Sequence, residues 1–548
     1  MRGTWKTYLM ASLGIILLSA GCGGAGSPSA SVSGSGRSGG SAIGIQGGVG
    51  ISNSVKSPSE MNVGDLMGIE FQGADEMNID FEGADPDAEY ILIVGSANAG
   101  GFGTAMQVTN DINSLLPNLA YDEENVDQGN LLFKSASLNS NDVTENFHNQ
   151  LREAELDVAE EDFSFSKASM TSKGVSKSVA LGEVDTFQVL SSISSVSSFV
   201  DVDSRLECLG ERIAVYVDTR VSDDVLSAQD IEKLCAMYDR AAGIEDEILG
   251  ASPDVDGDGV VHAHITYAVN SLGAHAGGIV TGYFWAGHRD REVVHLVAPD
   301  PNGSYGPAVS KEMALNNFLP AVFPHELQHL KNYYQRVGVQ GVSPDEAWKN
   351  EGLSHLFEDV VGWNMENYSR YDLALSSPSS TKVVAGSSPN LLERGASYLF
   401  LRFLYEQSEN PNEFLRNMVR SELSGVEAVQ EAFDGPDDFN QFSEFFGRWT
   451  VAVAMTNRGV TADSRYTYKA RTLNAETQTW QGVCLICEPD DGRGTVLEGV
   501  YMSEYDGFNA TNIKASAAKY YQVSEAPSEI TLKGTHDGGN FGVLIRTK

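Results

Sequence analysis

The sequence predicts an α+β fold, in which β-rich segments lie on either side of a central region that combines a mixed sheet with helices. Alternating apolar runs occupy residues 60–195, and glycine-punctuated runs of the same kind return over residues 461–548. Between them, strand-like runs come first and helical patterns follow. A chain of 548 residues is longer than one ordinary core supports, so we expect separate domains.

The first residues are typical of an export signal. Two basic residues precede an apolar run, residues 8–18, that is too short to serve as a permanent membrane span. The Ser-Ala-Gly-Cys that follows resembles a bacterial lipobox, with the usual leucine one position too early. We expect residues 1–21 to be a lipoprotein signal peptide and Cys22 to be lipidated. The alternative is a plain secretory signal that is cleaved just before this cysteine.

Residues 22–59 are rich in Gly and Ser, a composition that cannot bury enough apolar surface to fold. Such a tether after a lipidated cysteine suits a domain displayed on a membrane. We therefore expect an exported protein on the outer membrane or cell surface, held by its lipid anchor, or otherwise a secreted one. The sequence does not specify an oligomeric state.

Residues 60–195 predict a β-rich N-terminal domain. Residues 90–94 are uniformly apolar, as in a buried strand, and residues 181–190 alternate as in a half-buried one. Residues 146–161 are polar with scattered leucines and predict a short exposed helix or a loop.

Residues 196–460 predict a second domain, and residues 461–548 predict a small C-terminal β-domain that ends in a strand at 541–545. An apolar stripe over residues 227–249 indicates a helix with Ser227 as its N-cap. The other predicted strands of this domain are residues 212–218, 260–269, 278–286 and 293–298, and its other predicted helices are residues 311–337, 344–363, 394–407, 412–422 and 439–455.

Four cysteines remain after Cys22, and an even number favours disulfides in an exported protein. We expect Cys208 to pair with Cys235, because they flank a strand and helix unit, and Cys484 to pair with Cys487. A zinc ribbon at the second pair is disfavoured, because no further cysteine pair completes four ligands.

The net charge of −38 opposes binding to any polyanion, so we expect no nucleic-acid partner. The excess of carboxylates leaves oxygen ligands available for hard cations.

The motif His-Glu-Leu-Gln-His, which begins at His325, suggests a metal site. Positions i and i+4 share one face of a helix, so His325 and His329 can present two imidazoles to one ion. Glu326 lies next to this face and can reach a water on the ion. A catalytic zinc needs a third protein ligand, and Glu351 on the next predicted helix is the candidate.

The segment around Glu351 reads Trp-Lys-Asn-Glu-Gly-Leu-Ser and resembles the Trp-x-Asn-Glu-Gly segment of gluzincin metallopeptidases, in particular the hyicolysin-type peptidases. Three more segments match that type in order: an Asp-rich loop from Asp254, Gly-Tyr-Phe from Gly282 and Arg-Gly-Ala from Arg394. The resemblance covers residues 206–457. It implies a gluzincin-like catalytic domain of mixed sheet and helices that cleaves proteins or peptides.

Carried over by position, the resemblance makes His325, His329 and Glu351 the Zn²⁺ ligands and Glu326 the general base. Pro324 departs from the pattern and predicts that the helix begins there or is kinked.

The sequence does not identify the residue that stabilises the transition state. An acidic residue often follows the glutamate ligand by one turn in gluzincins, and here His355 holds that place, with Glu358 beyond it. His355 could orient a ligand, donate to the substrate oxyanion or line the site wall. Tyr398 is a further candidate for the oxyanion partner.

Asp254, Asp256 and Asp258 alternate with a following glycine, as at the start of an EF-hand loop that binds Ca²⁺. Ile265 stands where that loop needs its bidentate glutamate, which excludes a complete EF-hand. A looser Ca²⁺ loop and a plain acidic turn are both compatible with the pattern.

The leading functional hypothesis is an exported zinc endopeptidase. The alternative is a non-catalytic surface-binding lipoprotein that retains a metallopeptidase fold.

Overall fold

The computed structural model describes residue 51 and residues 57–71, 76–129, 142–162, 179–274, 278–436 and 440–548. The predicted signal peptide, Cys22 and nearly all of the predicted tether lie outside these residues. Within them the fold is α+β, as the sequence predicts. No helix in the described part of the chain is both long and apolar enough to span a membrane.

The strands, in chain order, are β1 Leu66–Glu70, β2 Glu76–Asp80, β3 Tyr90–Ser96, β4 Thr104–Thr109, β5 Val184–Leu190, β6 Phe199–Leu209, β7 Ile213–Asp218, β8 Val261–Thr266, β9 Gly282–Phe284, β10 Val293–Val297, β11 Thr472–Leu473, β12 Trp480–Gln481, β13 Ile486–Cys487, β14 Leu497–Glu498, β15 Ser503–Glu504, β16 Phe508–Ile513, β17 Ala517–Val523, β18 Glu529–Gly534 and β19 Asn540–Arg546. The main helices are α1 Asp142–Asp162, α2 Ala228–Leu249, α3 Tyr267–Ala274, α4 Leu319–Tyr333, α5 Ala347–Val360, α6 Met365–Ser376, α7 Leu391–Gln407, α8 Pro411–Arg420, α9 Gly425–Ala432 and α10 Phe442–Met455.

A six-stranded mixed sheet lies at the centre of the fold, with strand order β5-β6-β7-β8-β10-β9. Strands β7, β8 and β10 are mutually parallel, and α2 provides the crossover from β7 to β8. The predicted N-cap of α2 is confirmed, since the Ser227 side chain accepts from the Asp230 amide in a capping box. The predicted strand at 260–269 is too long, because β8 ends at Thr266 and α3 begins at the next residue.

Helix α4 packs against this sheet and against α2, and α5 and α7 follow behind it. All fifteen residues of α4 are buried, including the polar face that carries His325 and His329. The helix begins at Leu319, so Pro324 lies inside it, and of the two alternatives at this proline the helix start is excluded. Segments of wider π-helix, Ala314–Phe318 and Tyr334–Gln340, flank it on both sides.

The two ends of the chain share two further sheets. One has the order β1-β19-β3-β17-β15 and the other β16-β4-β18-β2, and both combine strands from residues 66–109 with strands from residues 503–546. Their apolar faces enclose one core, which includes Met106, Tyr521 and Leu544. The expectation of separate N- and C-terminal β-domains is therefore wrong. Alternation identifies the buried face of a strand but not a partner more than 400 residues away.

The boundary predicted at residue 195 also shifts. Strand β5 pairs with β6 in the central sheet, so the sheet that carries the candidate site begins near residue 184 and not at 196. The prediction of a short exposed helix or loop at 146–161 is wrong as well. These residues belong to the 21-residue helix α1, in which Phe147 and Leu151 are 0% exposed.

The cysteines lie in the pairs expected from the sequence. The Cys208 sulfur contacts that of Cys235, at the junction of β6 and α2, and the Cys484 sulfur contacts that of Cys487. Oxidation of these pairs stays a prediction.

Candidate metal site

Helices α4 and α5 bring the three predicted ligands together. His325 and His329 lie one turn apart on α4, and Glu351 lies in the first turns of α5. The Asn332 side chain donates to Asn350 Oδ1 at 2.7 Å and joins the two helices beside the ligands.

The glycine after Glu351 permits the close packing of α5 on α7. A Cβ added at Gly352 would lie 3.0 Å from both Ser397 Cβ and Leu401 Cδ1. Gly282 has the same role on the other side of α4, since its Cβ would lie 2.9 Å from the Val322 side chain. These contacts give a physical reason for two glycines of the motif segments.

The three side chains form a cage of the size that zinc requires. His325 Nε2 lies 3.2 Å from His329 Nε2, and each of these nitrogens lies 3.6 Å from a Glu351 carboxylate oxygen. Ligands bound tetrahedrally at about 2.0–2.1 Å are separated by about 3.3 Å, so one ion fits between them.

The Glu351 carboxylate is the third candidate metal ligand. It is 0% exposed, and neither oxygen accepts a hydrogen bond from the described residues. Its nearest guanidinium nitrogens are Arg394 Nη1 at 3.4 Å and Arg152 Nε at 3.9 Å. Burial raises the pKa of Glu351, but Arg394 and the two histidines outweigh this and hold the pKa well below its usual value. A buried, ionised and unbonded carboxylate fits a cation ligand.

A second carboxylate fixes the orientation of His325. Glu358 Oε1 lies 2.8 Å from His325 Nδ1, so an Nδ1–H donates to it and Nε2 is directed at the cage. Burial raises the pKa of Glu358, whereas His355 and the hydrogen bonds from both histidines lower it to about 2. The sequence made Glu358 one of three candidates, with His355 and Tyr398, for stabilising the transition state or supporting a ligand. The geometry favours the second role, in which Glu358 orients His325.

His329 is oriented by a hydroxyl and not by a carboxylate, which is a weaker contact than the one that holds His325. The Ser354 hydroxyl lies 3.2 Å from each of its ring nitrogens and also hydrogen-bonds to Gln328.

Glu326 is held by the edge strand of the sheet. Its Oε2 accepts from the Phe284 amide of β9 at 2.9 Å, whereas its Oε1 has no partner among the described residues. Burial raises the pKa of Glu326, and the charges of His325 and Arg152 oppose that rise. A raised pKa suits a carboxylate that must take up a proton and then release it.

His355 lies against the cage, and Tyr398 does not take part in it. His325, Glu351 and His355 offer ligand atoms within 4.8 Å of one another. The Nδ1 of His355 is 2.8 Å from Glu358 Oε1, and its buried Nε2 has no partner in the described chain. The Tyr398 hydroxyl instead lies 3.0 Å from Asp359 Oδ2, which takes its proton and leaves none for an oxyanion.

Burial lowers the pKa of His355 to about 3, although Glu358 opposes this. The ring is therefore neutral, and donation from Nδ1 to Glu358 makes Nε2 an acceptor. This favours His355 as a further ligand or as an acceptor toward water, and disfavours it as an oxyanion donor.

Two contacts at the site were not predicted. Arg152 of α1, which pairs with Glu155, reaches Glu351 from a segment whose polar pattern gave no sign of burial. The Phe284 amide contributes through the backbone, so its residue type carries no signal.

The Asp-rich loop forms a second cluster just before β8, whereas Ile265, where an EF-hand would carry its glutamate, lies within that strand. Asp254 and Asp256 lie near Glu292, whereas Asp258 Oδ2 is 2.7 Å from His262 Nε2. Burial raises the pKa of Glu292 to about 8, although an amide hydrogen bond from Val255 lowers it.

Comparison with known proteins gives no assignment: no family model matches the chain, and no curated protein matches it significantly.

Proposed function

We propose that the protein is a zinc-dependent endopeptidase of gluzincin type, similar to the hyicolysin-type peptidases. The observation that carries the proposal is the cage of His325 Nε2, His329 Nε2 and Glu351, with 3.2 and 3.6 Å between ligand atoms and a carboxylate that has no hydrogen bond from the described residues. Two imidazole nitrogens and one carboxylate are a donor set that catalytic zinc sites use.

A zinc ion in this cage would act as a Lewis acid toward a water molecule and a peptide carbonyl. Glu326 takes a proton from the attacking water through its unpartnered Oε1 and delivers it to the leaving amine. The Phe284 amide keeps the other oxygen in place during both transfers. Glu358 holds His325 through Nδ1, so that Nε2 is directed into the cage where the ion would be held.

The test separates zinc binding by the three ligands from proton transfer by Glu326. Glu326→Gln keeps the ligands and should retain zinc, while hydrolysis of casein or a fluorogenic peptide should fall by about 10²–10⁴-fold. Glu312→Gln, at an exposed position before α4, is the matched control and should behave as wild type. Wild-type protein that binds zinc and cleaves no denatured protein or peptide would reject the peptidase.

The rival proposal is a surface-binding lipoprotein with a metallopeptidase fold. The net charge of −38 and the burial of the cage residues, of which His325 is the most exposed at 6%, favour it. If the rival is right, the protein should bind zinc but hydrolyse no substrate under any condition.

We further propose export with Cys22 as the site of lipid attachment, and a protein or peptide as the substrate. Labelled fatty acid should appear in the wild-type protein and be absent from Cys22→Ser.

A further inference from the structure

A carboxylate cluster separate from the zinc cage lies at the start of the two parallel strands β8 and β10. Asp254 and Asp256 come from the loop before β8, and Glu292 directly precedes β10. Each offers an oxygen within 4.8 Å of the others.

Glu292 is the unusual member of this cluster. Its residue is 1% exposed, its Oε1 accepts from the Val255 amide, and its Oε2 has no partner in the described residues. The Asp256 Oδ2 atom is likewise buried without a partner there. None of the ion pairs of the described chain joins a basic side chain to Asp254, Asp256 or Glu292. Three carboxylates, one of them fully buried, either hold a proton or are compensated by a positive charge, and a bound cation supplies that charge.

Asp258 does not supply a free oxygen, which changes the set predicted from the sequence. Its Oδ2 pairs with His262, and its Oδ1 accepts from the Val260 amide at 3.0 Å. Asp258 therefore positions the loop. Glu292 takes the place of the glutamate that an EF-hand would carry at Ile265.

We propose that Asp254, Asp256 and Glu292 bind a calcium ion. The three donors are carboxylate oxygens, which select a hard cation, and Ca²⁺ accepts irregular oxygen geometry more readily than Mg²⁺. The ion would join the loop before β8 to the residue that precedes β10 and so stabilise the sheet on which α4 packs. This site does not depend on the proposed peptidase function.

The test is thermal unfolding of the zinc-loaded full chain with increasing CaCl₂. The wild-type Tm should rise saturably, and MgCl₂ should have a smaller effect. Glu292→Gln keeps the shape and removes the buried charge, so its Tm without calcium should equal or exceed that of wild type while the calcium response is lost. Asp290→Asn, an exposed carboxylate two residues away, should keep the full response. A calcium response that survives in Glu292→Gln, or one that is absent from wild type, overturns the site.

Helix α1 carries an independent inference about the zinc cage. Arg152 Nε lies 3.9 Å from Glu351 Oε1, and Arg152 also pairs with Glu155 at 3.0 Å. Both α1 side chains are buried, and so are Glu326 and His329 of the cage. An endopeptidase must admit an extended peptide to these residues.

The helix is held there by an apolar face. Phe147 packs edge-to-face on Tyr283 of β9 at 5.7 Å between ring centroids, and Leu151 is fully buried. Leu156, on the other face, is exposed.

We infer that α1 shields the metal site and must move before a peptide can enter. This inference rests on the metal site of the proposed function. It makes the described arrangement a latent state, in which Arg152 contacts the carboxylate that holds the ion.

Shielding is measured by the rate at which a chelator removes zinc from the full chain, which requires no catalysis. Phe147→Asp should weaken the apolar contact and accelerate zinc removal, whereas Leu156→Asp should match wild type. Arg152→Ala removes the contact to Glu351 and should also accelerate zinc removal. If Phe147→Asp does not fold, the Arg152→Ala variant tests the shielding. Hydrogen exchange of the α1 amides reports whether the helix is released.

A released α1 with an unchanged rate of zinc removal overturns the shielding. Faster removal without any gain in hydrolysis supports the shielding and counts against the peptidase. Failure of the wild-type chain to bind zinc rejects both the peptidase and the shielding of its metal site by α1.

Discussion

Replacement of Glu358 should weaken zinc binding although this residue is not a ligand. Glu358 Oε1 accepts from His325 Nδ1 and from His355 Nδ1, both at 2.8 Å. Loss of a carboxylate that orients a ligand histidine typically reduces metal affinity by about 10–100-fold, which corresponds to about 1.4–2.7 kcal/mol. Glu358→Ala should approach the upper value, because both imidazole N–H groups lose their buried acceptor. Glu358→Gln keeps an acceptor and should lie near the lower value.

The assay is competitive titration of zinc against a chelating dye at neutral pH. Glu366→Gln is the matched control, since Glu366 is also a buried carboxylate but its partners are Arg370 and Arg493. Its zinc affinity should equal that of wild type. Wild-type affinity in Glu358→Ala would refute the orienting role, and equal losses in all three variants would indicate a general loss of stability.

Three further predictions concern packing, the cysteines and the chain start. Gly352→Val should lower the free energy of unfolding by about 1–3 kcal/mol because α7 leaves no space for a side chain, whereas Gly100→Ala, in open space, should not change the Tm. Replacing both Cys208 and Cys235 by Ser should cost about 3.5 kcal/mol for the 27-residue separation, and a wild-type peptide map without that linkage would contradict the pairing. Cys22→Ser should move the protein from the membrane fraction to the soluble fraction, and an unchanged distribution would favour the plain secretory signal.

Local patterns predicted the elements that carry the candidate site. The apolar stripe after Ser227 identified α2 with its cap, and the two histidines of α4 and the glutamate of α5 lie where the helical period places them. The sequence left open whether the helix starts at Pro324 or is kinked there, and the structure excludes the start because Pro324 lies five residues into α4.

Long-range partners could not be predicted from these patterns. Strand β19 pairs with β1 and β3 from the other end of the chain, and no local feature of its alternation specifies them. The buried role of Arg152 was missed because arginine in a polar helical segment usually indicates exposure. Glu292 was missed for a similar reason, since it lies 34 residues beyond the end of the predicted Asp-rich loop and joins it only through the pairing of β8 with β10.

The most direct measurement of the central claim is zinc K-edge X-ray absorption on the purified full chain, with zinc content determined on the same sample. The account predicts one zinc per chain, with nitrogen and oxygen ligands at about 2.0–2.1 Å, the outer-shell signature of imidazole rings, and loss of the bound zinc in Glu351→Ala. Sulfur in the first shell, or a spectrum and zinc content that Glu351→Ala leaves unchanged, would contradict it.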